Sequence, residues 1–114
     1  MYKRQRHEHG DLPLILSGFS FGGYVQACAA RHLHPRQLVL VAPAVGRFAM
    51  PPVAHDTLLI HGDMDEVVPL NDVLHWARPQ QLPVVVLPGA EHFFHGRLNQ
   101  IKLIVRHKFT GDPL

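Results

Sequence analysis

Cysteine is almost missing from this chain. Cys28 is the single thiol among 114 residues, so no internal disulfide can form and a reducing compartment is the expected setting. Long apolar runs are missing too: none approaches the roughly 18 residues that a membrane-spanning helix needs. The opening Met1 to Gly10 is polar where a secretion signal would have an apolar centre. These absences predict a cytoplasmic protein with no membrane partner. Charge is sparse at 18% of residues, with a net of +2, and the basic start Lys3, Arg4 and Arg6 is not continued by Lys or Arg interleaved with aromatics. No nucleic-acid partner is therefore expected. Internal repeats and low-complexity tracts are also lacking, apart from the pair Pro51-Pro52.

What the chain does have is a core. Its length and 46% hydrophobic content suit one globular domain. Apolar runs recur at Leu12 to Ser17, Leu38 to Ala42, Thr57 to His61 and Pro83 to Leu87, continuous rather than alternating, as in strands buried on both faces of a parallel sheet. Helices are predicted over Tyr24 to Leu33 and Leu70 to Arg78, the second opened by Pro69 with Asn71 and Asp72 at its positive end. A last helix is expected over Arg97 to Lys108. There Leu98, Ile101, Ile104, Val105 and Phe109 recur at helical spacing, while Lys102, Arg106 and Lys108 face away. The stretch Pro43 to Asp56 reads as an irregular crossover, from which Arg47 and Phe48 could reach a site. The expected fold is α/β: a parallel sheet of about four strands with flanking helices. Its loops at Gly18 to Gly22, Gly62 to Val68 and Gly89 to His95 leave the same strand edge, where ligands bind in open α/β sheets.

The first of those loops, Gly18-Phe19-Ser20-Phe21-Gly22, places a serine between a strand and a helix. This is the pattern of a nucleophile elbow, in which a tight turn lifts the hydroxyl clear of the sheet. The two glycines are expected to leave room that a Cβ would fill, and Gly23 to let the helix start close to the strand. A serine hydroxyl becomes a useful nucleophile when an imidazole, itself oriented by a carboxylate, takes its proton. The required types follow in the order Ser, Asp, His. Asp63 and Asp65 share the turn after the third apolar run, with Glu66 adjacent, and spacing does not separate them. Of ten histidines only His92 and His95 fall in the loop after the fourth run, and His92 is read as the base. His61 ends a strand and reads as a structural hydrogen-bonder. Glu91, His92 and His95 lack the helix signal of a zinc site, so neither metal nor cofactor is expected. Cys28, inside a predicted helix, is no candidate nucleophile. Phe19, Phe21, Tyr24, Phe93 and Phe94 gather near the proposed site in sequence and could wall an acyl or aromatic pocket.

Taken together, several segments resemble the small predicted hydrolases of the α/β-hydrolase superfamily, a bacterial group of mostly unassigned substrate. They are Leu16 to Tyr24, Val41-Ala42-Pro43 with Arg47-Phe48, His61 to Pro69, and Leu87 to Leu98. The resemblance runs over about residues 12 to 108, which suggests a partial α/β-hydrolase domain over residues 11–110 after an unmatched polar segment 1–10. In that family's pattern H-G-x-x-D-x-x-V-P carries the acid and the H-F-F segment the base, which implies Asp65 and His92 beside Ser20. The resemblance implies a serine hydrolase acting on a carboxylic ester or thioester through an acyl-enzyme, with the Phe21 amide as one oxyanion donor. Family members are nearly twice as long. The portion ahead of the elbow strand, which supplies the first strands, a helix and a second oxyanion donor, has no counterpart, and His7-Glu8-His9 lies too close to the elbow strand to replace it. The chain is thus expected to be a carboxyl-terminal part, weak or inactive alone, with an apolar strand edge at Leu12 to Leu16 that invites a homodimer or aggregation. The alternative expectation is a non-catalytic module that keeps the fold and holds a ligand at the aromatic-lined edge.

Overall fold

Four short strands, β1 (Ile15–Phe19), β2 (Gln37–Val41), β3 (Leu58–Gly62) and β4 (Val85–Leu87), form one sheet in the computed structural model, which describes residues 14–111. Every neighbouring pair is parallel, and the spatial order repeats the chain order. Parallel neighbours require crossovers. Helix α1 (Phe21–Leu33) returns the chain from β1 to β2, and α2 (Leu70–Ala77), prolonged by a 3-10 turn at Arg78–Gln80, returns it from β3 to β4. Helix α3 (Leu98–Thr110) follows β4. Between β2 and β3 the chain crosses without a helix, as expected for the proline-rich stretch.

The period-2 geometry of the strands sorts their side chains into two cores. Leu38, Leu40 and Leu59 face Ala77, Trp76 and Ala30, so α1 and α2 share one face of the sheet. Val39, Leu58, Ile60 and Leu87 face Ile101, Ile104, Val105 and Phe109 of α3 on the other. Strands β2 and β3 are therefore lined by apolar residues on both sides, which is why their sequences run without alternation.

Several sequence expectations about the elements need correction. Strand β1 runs to Phe19 rather than stopping at Ser17, because Gly18 and Phe19 pair with Leu40 and Val41, and helix α1 then starts at Phe21 rather than Tyr24. Cross-strand pairing thus outweighs the low strand propensity of Gly18. The same strand is not buried on both faces: Ile15 is 43% and Phe19 41% exposed, because α3 sits over β3 and does not reach this edge of the sheet. Strand β4 is shorter than expected and starts at Val85, beyond Pro83, which has no N–H to give a ladder. Leu98 is 65% exposed; as the first residue of α3 it has no preceding turn to lie over. The readings that fall on residues 1–13, including the polar segment 1–10 and Leu12, lie outside the described residues.

Candidate active site

Ser20 stands where β1 ends and α1 begins, with φ 56° and ψ −118°. A non-glycine residue at this φ is strained, and the surrounding backbone holds it there. The Ser20 N–H donates to the Val41 carbonyl at 2.9 Å, and the Ser20 carbonyl accepts the N–H of Gly23 at 2.9 Å and of Ala44 at 3.3 Å. Gly18 is required by close approach, since a Cβ there would collide with the carbonyl of Gly22. Gly22 is not required in that way: a Cβ on it would meet nothing within 4 Å, which corrects the expectation for both glycines. The turn uses the backbone of Gly22, pressed against Gly18, and leaves its side-chain position open.

His92 arrives from the loop after β4 and Asp65 from the loop after β3. The His92 Nδ1 lies 2.7 Å from Asp65 Oδ2, and its Nε2 lies 3.1 Å from Ser20 Oγ. A carboxylate accepts only, so Nδ1 carries the proton and Nε2 is left to accept from the serine hydroxyl. Asp65 and His92 are both buried. The other Asp65 oxygen, Oδ1, accepts the amides of Val67 at 2.9 Å and Val68 at 2.7 Å, so the carboxylate is fixed from both ends. Close approach again needs a glycine. A Cβ on Gly62 would strike the Ala90 carbonyl, and the two loops could not come together.

The neighbouring candidates take other tasks. Asp63 turns away from His92 and accepts the Gly89 amide at 2.7 Å, and Glu66 is exposed. Glu91 accepts the amides of His95 at 2.6 Å and Phe93 at 3.0 Å, which hold its carboxyl below the usual carboxylate range, with a smaller push from the His95 ring. His95 is exposed and pairs with Glu91 at 3.2 Å. Glu91, His92 and His95 therefore do not converge, and among the described residues no three His, Cys, Asp or Glu side chains could hold a metal ion together. His61 is fully buried, as its structural reading expects. Its Nε2 lies 2.7 Å from the Val68 carbonyl, and burial pushes its pKa below the ordinary histidine value.

The aromatics divide into two groups. Phe19 and Phe93 lie against the His92 ring, with centroids 5.1 and 5.0 Å away. Phe21, Tyr24 and Phe48 form a second cluster on the other side of the elbow, with Phe48 5.0 Å from Phe21 and stacked on Tyr24 at 4.9 Å. Phe48 thus reaches the start of α1 as anticipated, while Arg47 beside it is exposed. Phe94 corrects the expectation for it: it is buried in the core beneath α3 and walls no pocket. A groove of about 530 Å³ lies beside His92, lined in part by Met64, Val67, Gly89 and Phe93. Phe93 is the wall that the sequence leads one to expect; Met64 and Val67 were missed, their only signal being apolar residues in a loop otherwise rich in acids.

A parallel sheet with a strained serine between its strand and helix, and loops of the same edge carrying Asp and His in that order, is the architecture of the α/β hydrolases. The comparisons agree. XC6422 from Xanthomonas campestris, described as an α/β serine hydrolase without a lid, is 34% identical, with a TM-score of 0.83 over 93% of this chain and 50% of its own. An α/β serine hydrolase homologue from Coxiella burnetii is likewise 34% identical, with a TM-score of 0.81 over 96% of this chain and 55% of its own. A protein of unknown function from Agrobacterium tumefaciens, 22% identical with a TM-score of 0.78 over 97% of this chain and 58% of its own, shares the fold. No family model matches the sequence, and no curated protein does. The chain has the α/β-hydrolase fold, and it spans about half the length of the solved structures it matches. Among the described residues no helix is long and apolar enough to cross a membrane.

Proposed function

We propose that this chain carries the acyl-transfer residues of a serine hydrolase acting on a carboxylic ester or thioester. In this reading Ser20 Oγ attacks the acyl carbonyl while His92 Nε2 takes its proton, and Asp65 holds the imidazole in the tautomer that can accept it. His92 then returns the proton to the leaving alcohol or thiol. Water, deprotonated by the same nitrogen, releases the acid and restores the serine. The observation that carries the reading is the continuous path from Asp65 Oδ2 through His92 to Ser20 Oγ, at 2.7 and 3.1 Å.

The charge that develops on the carbonyl oxygen needs donors. The Phe21 amide is one of the first amides of α1, which have no acceptor inside the helix, and it follows the nucleophile directly. The family resemblance assigns a second donor to a loop ahead of the elbow strand, and loss of one such donor costs on the order of 10² to 10³ in turnover. The Met64, Val67 and Phe93 groove beside His92 suits an apolar portion of the substrate.

Peptide mapping after treatment with an alkyl fluorophosphonate tests the proposal. A phosphonyl adduct on Ser20, absent from Ser20→Ala, supports it. An unmodified Ser20 in the wild-type chain and in a full-length relative favours a ligand-holding module that uses the same exposed aromatic edge.

A further inference from the structure

We infer that His61 is a positioning residue for Asp65: by donating Nε2–H to the Val68 carbonyl it locks the loop that aims the Asp65 carboxylate at His92. The inference rests on the serine-hydrolase reading of the same site and adds to it a fourth side chain that touches neither substrate nor serine.

The geometry supplies the argument. His61 lies in β3 with no solvent exposure, its Nε2 2.7 Å from the Val68 carbonyl and 3.4 Å from Asp65 Oδ2. Both neighbours are acceptors, so the ring proton belongs on Nε2 and Nδ1 keeps a lone pair. Among the described residues that Nδ1 is buried without a partner. A side chain placed for packing alone gains nothing from a buried nitrogen with an unsatisfied lone pair, which an apolar residue of similar size would avoid. The donor at the other end of the ring accounts for its presence.

That donor acts on a peptide unit that matters. Val68 gives its N–H to Asp65 Oδ1 at 2.7 Å, while its carbonyl accepts from His61, so the residue is held from both sides. The next residue, Pro69, has no N–H with which to anchor the segment. Release of the carbonyl frees Val68 to rotate, its amide leaves Oδ1, and the carboxylate is left with the Val67 amide alone, the longer half of the clamp that directs Oδ2 toward His92 Nδ1. The charged or titratable groups facing His61 are Asp65 and His92 themselves, and burial keeps the ring neutral between them. His61 thus adds an N–H dipole beside Oδ2 without competing as a second cation.

The test uses the 114-residue chain and three substitutions. Glutamine puts its amide nitrogen near the level of Nε2, asparagine puts it near Nδ1 and short of Val68, and leucine removes the donor. One readout is the downfield proton resonance of the His92 Nδ1–H in its bond to Asp65, and the other is the rate of phosphonylation of Ser20. His61→Gln should keep the resonance and a near wild-type rate. His61→Asn and His61→Leu should lose the resonance and react about 10- to 100-fold more slowly, the cost of a small misplacement at the site. Equal behaviour of the Gln and Asn variants, or an unchanged resonance in His61→Leu, overturns the inference. Should His61→Leu lose its native circular dichroism, the Gln and Asn pair decides. A wild-type chain that shows the resonance but never reacts sinks the hydrolase reading, and the role of His61 is then judged on the resonance alone.

Discussion

The Asp63 carboxylate accepts the Gly89 amide at 2.7 Å and so ties the loop after β3 to the loop after β4. Those loops carry Asp65 and His92, whose separation this bridge helps to set. Gly89 has φ 78°, a conformation that glycine adopts without strain, so the donor can face the carboxylate. Asp63→Ala should lower stability by about 1 kcal/mol, the modest end for a charged hydrogen bond that solvent reaches. Thermal unfolding followed by circular dichroism should show the midpoint fall by about 4 °C or more. An unchanged midpoint would mean that the loops hold their spacing without the bridge.

Asp65→Asn should preserve the fold while disabling the site. The asparagine oxygen can still accept the Val67 and Val68 amides, but its NH₂ would then face His92 Nδ1 and favour the tautomer that protonates Nε2. A nitrogen that already bears a proton cannot take one from Ser20. The phosphonylation rate of Ser20 should drop by about 10⁴ with little change in circular dichroism. A rate within a few-fold of the wild type would show that Asp65 does not set the tautomer.

His61 predicts a pH dependence of stability. Its folded-state pKa lies below the ordinary value because burial disfavours the cation, so the unfolded chain takes up a proton that the folded chain refuses. The stability from this group is complete above about pH 6.5 and is lost as pH falls from there toward the folded pKa, by at most about 1.4 kcal/mol per pH unit. Glu91, with a lowered pKa, acts in the carboxylate range instead: its contribution is lost as pH falls from the ordinary glutamate value of 4.5 toward the folded-state pKa. Urea unfolding at a series of pH values between 7.5 and 5 should therefore show a decline that is shallower in His61→Gln. Parallel curves for the two proteins would contradict the assignment.

Strand β1 is the edge of the sheet among the described residues, and its Ile15 and Phe19 side chains are exposed on one face. Unpaired strand edges with apolar side chains recruit further strands. Sedimentation at micromolar concentration should find dimers or larger species, and Ser17→Lys, which puts a charge on the exposed face between Ile15 and Phe19, should shift them toward monomer. A wild-type chain that sediments as a monomer throughout would remove this expectation.

The sequence made some of this legible and hid the rest for physical reasons. The elbow could be read because Gly18 and Ser20 act locally: a carbonyl pressed on one, a strained φ at the other. The two faces of β2 and β3 could be read because helices cover both, leaving no alternation. The start of α1 could not, since the pairing of Phe19 with Val41 lies in another strand. Asp63 and Asp65 are indistinguishable by spacing because they differ only in direction, one toward Gly89 and the other toward Val67, Val68 and His92. Phe93 and Phe94 are adjacent, yet one faces the His92 ring and the other the core, with Phe94 at φ 56°. No periodicity announces a turn that reverses the direction of successive side chains.

The central claim is that His92 activates Ser20, and the most direct measurement is the second-order rate constant for phosphonylation of Ser20 in the wild-type chain and in His92→Ala. The account predicts a measurable wild-type rate and a fall of at least about 10³ in the variant, the scale on which such residues act as a unit. Equal rates in the two proteins would contradict it.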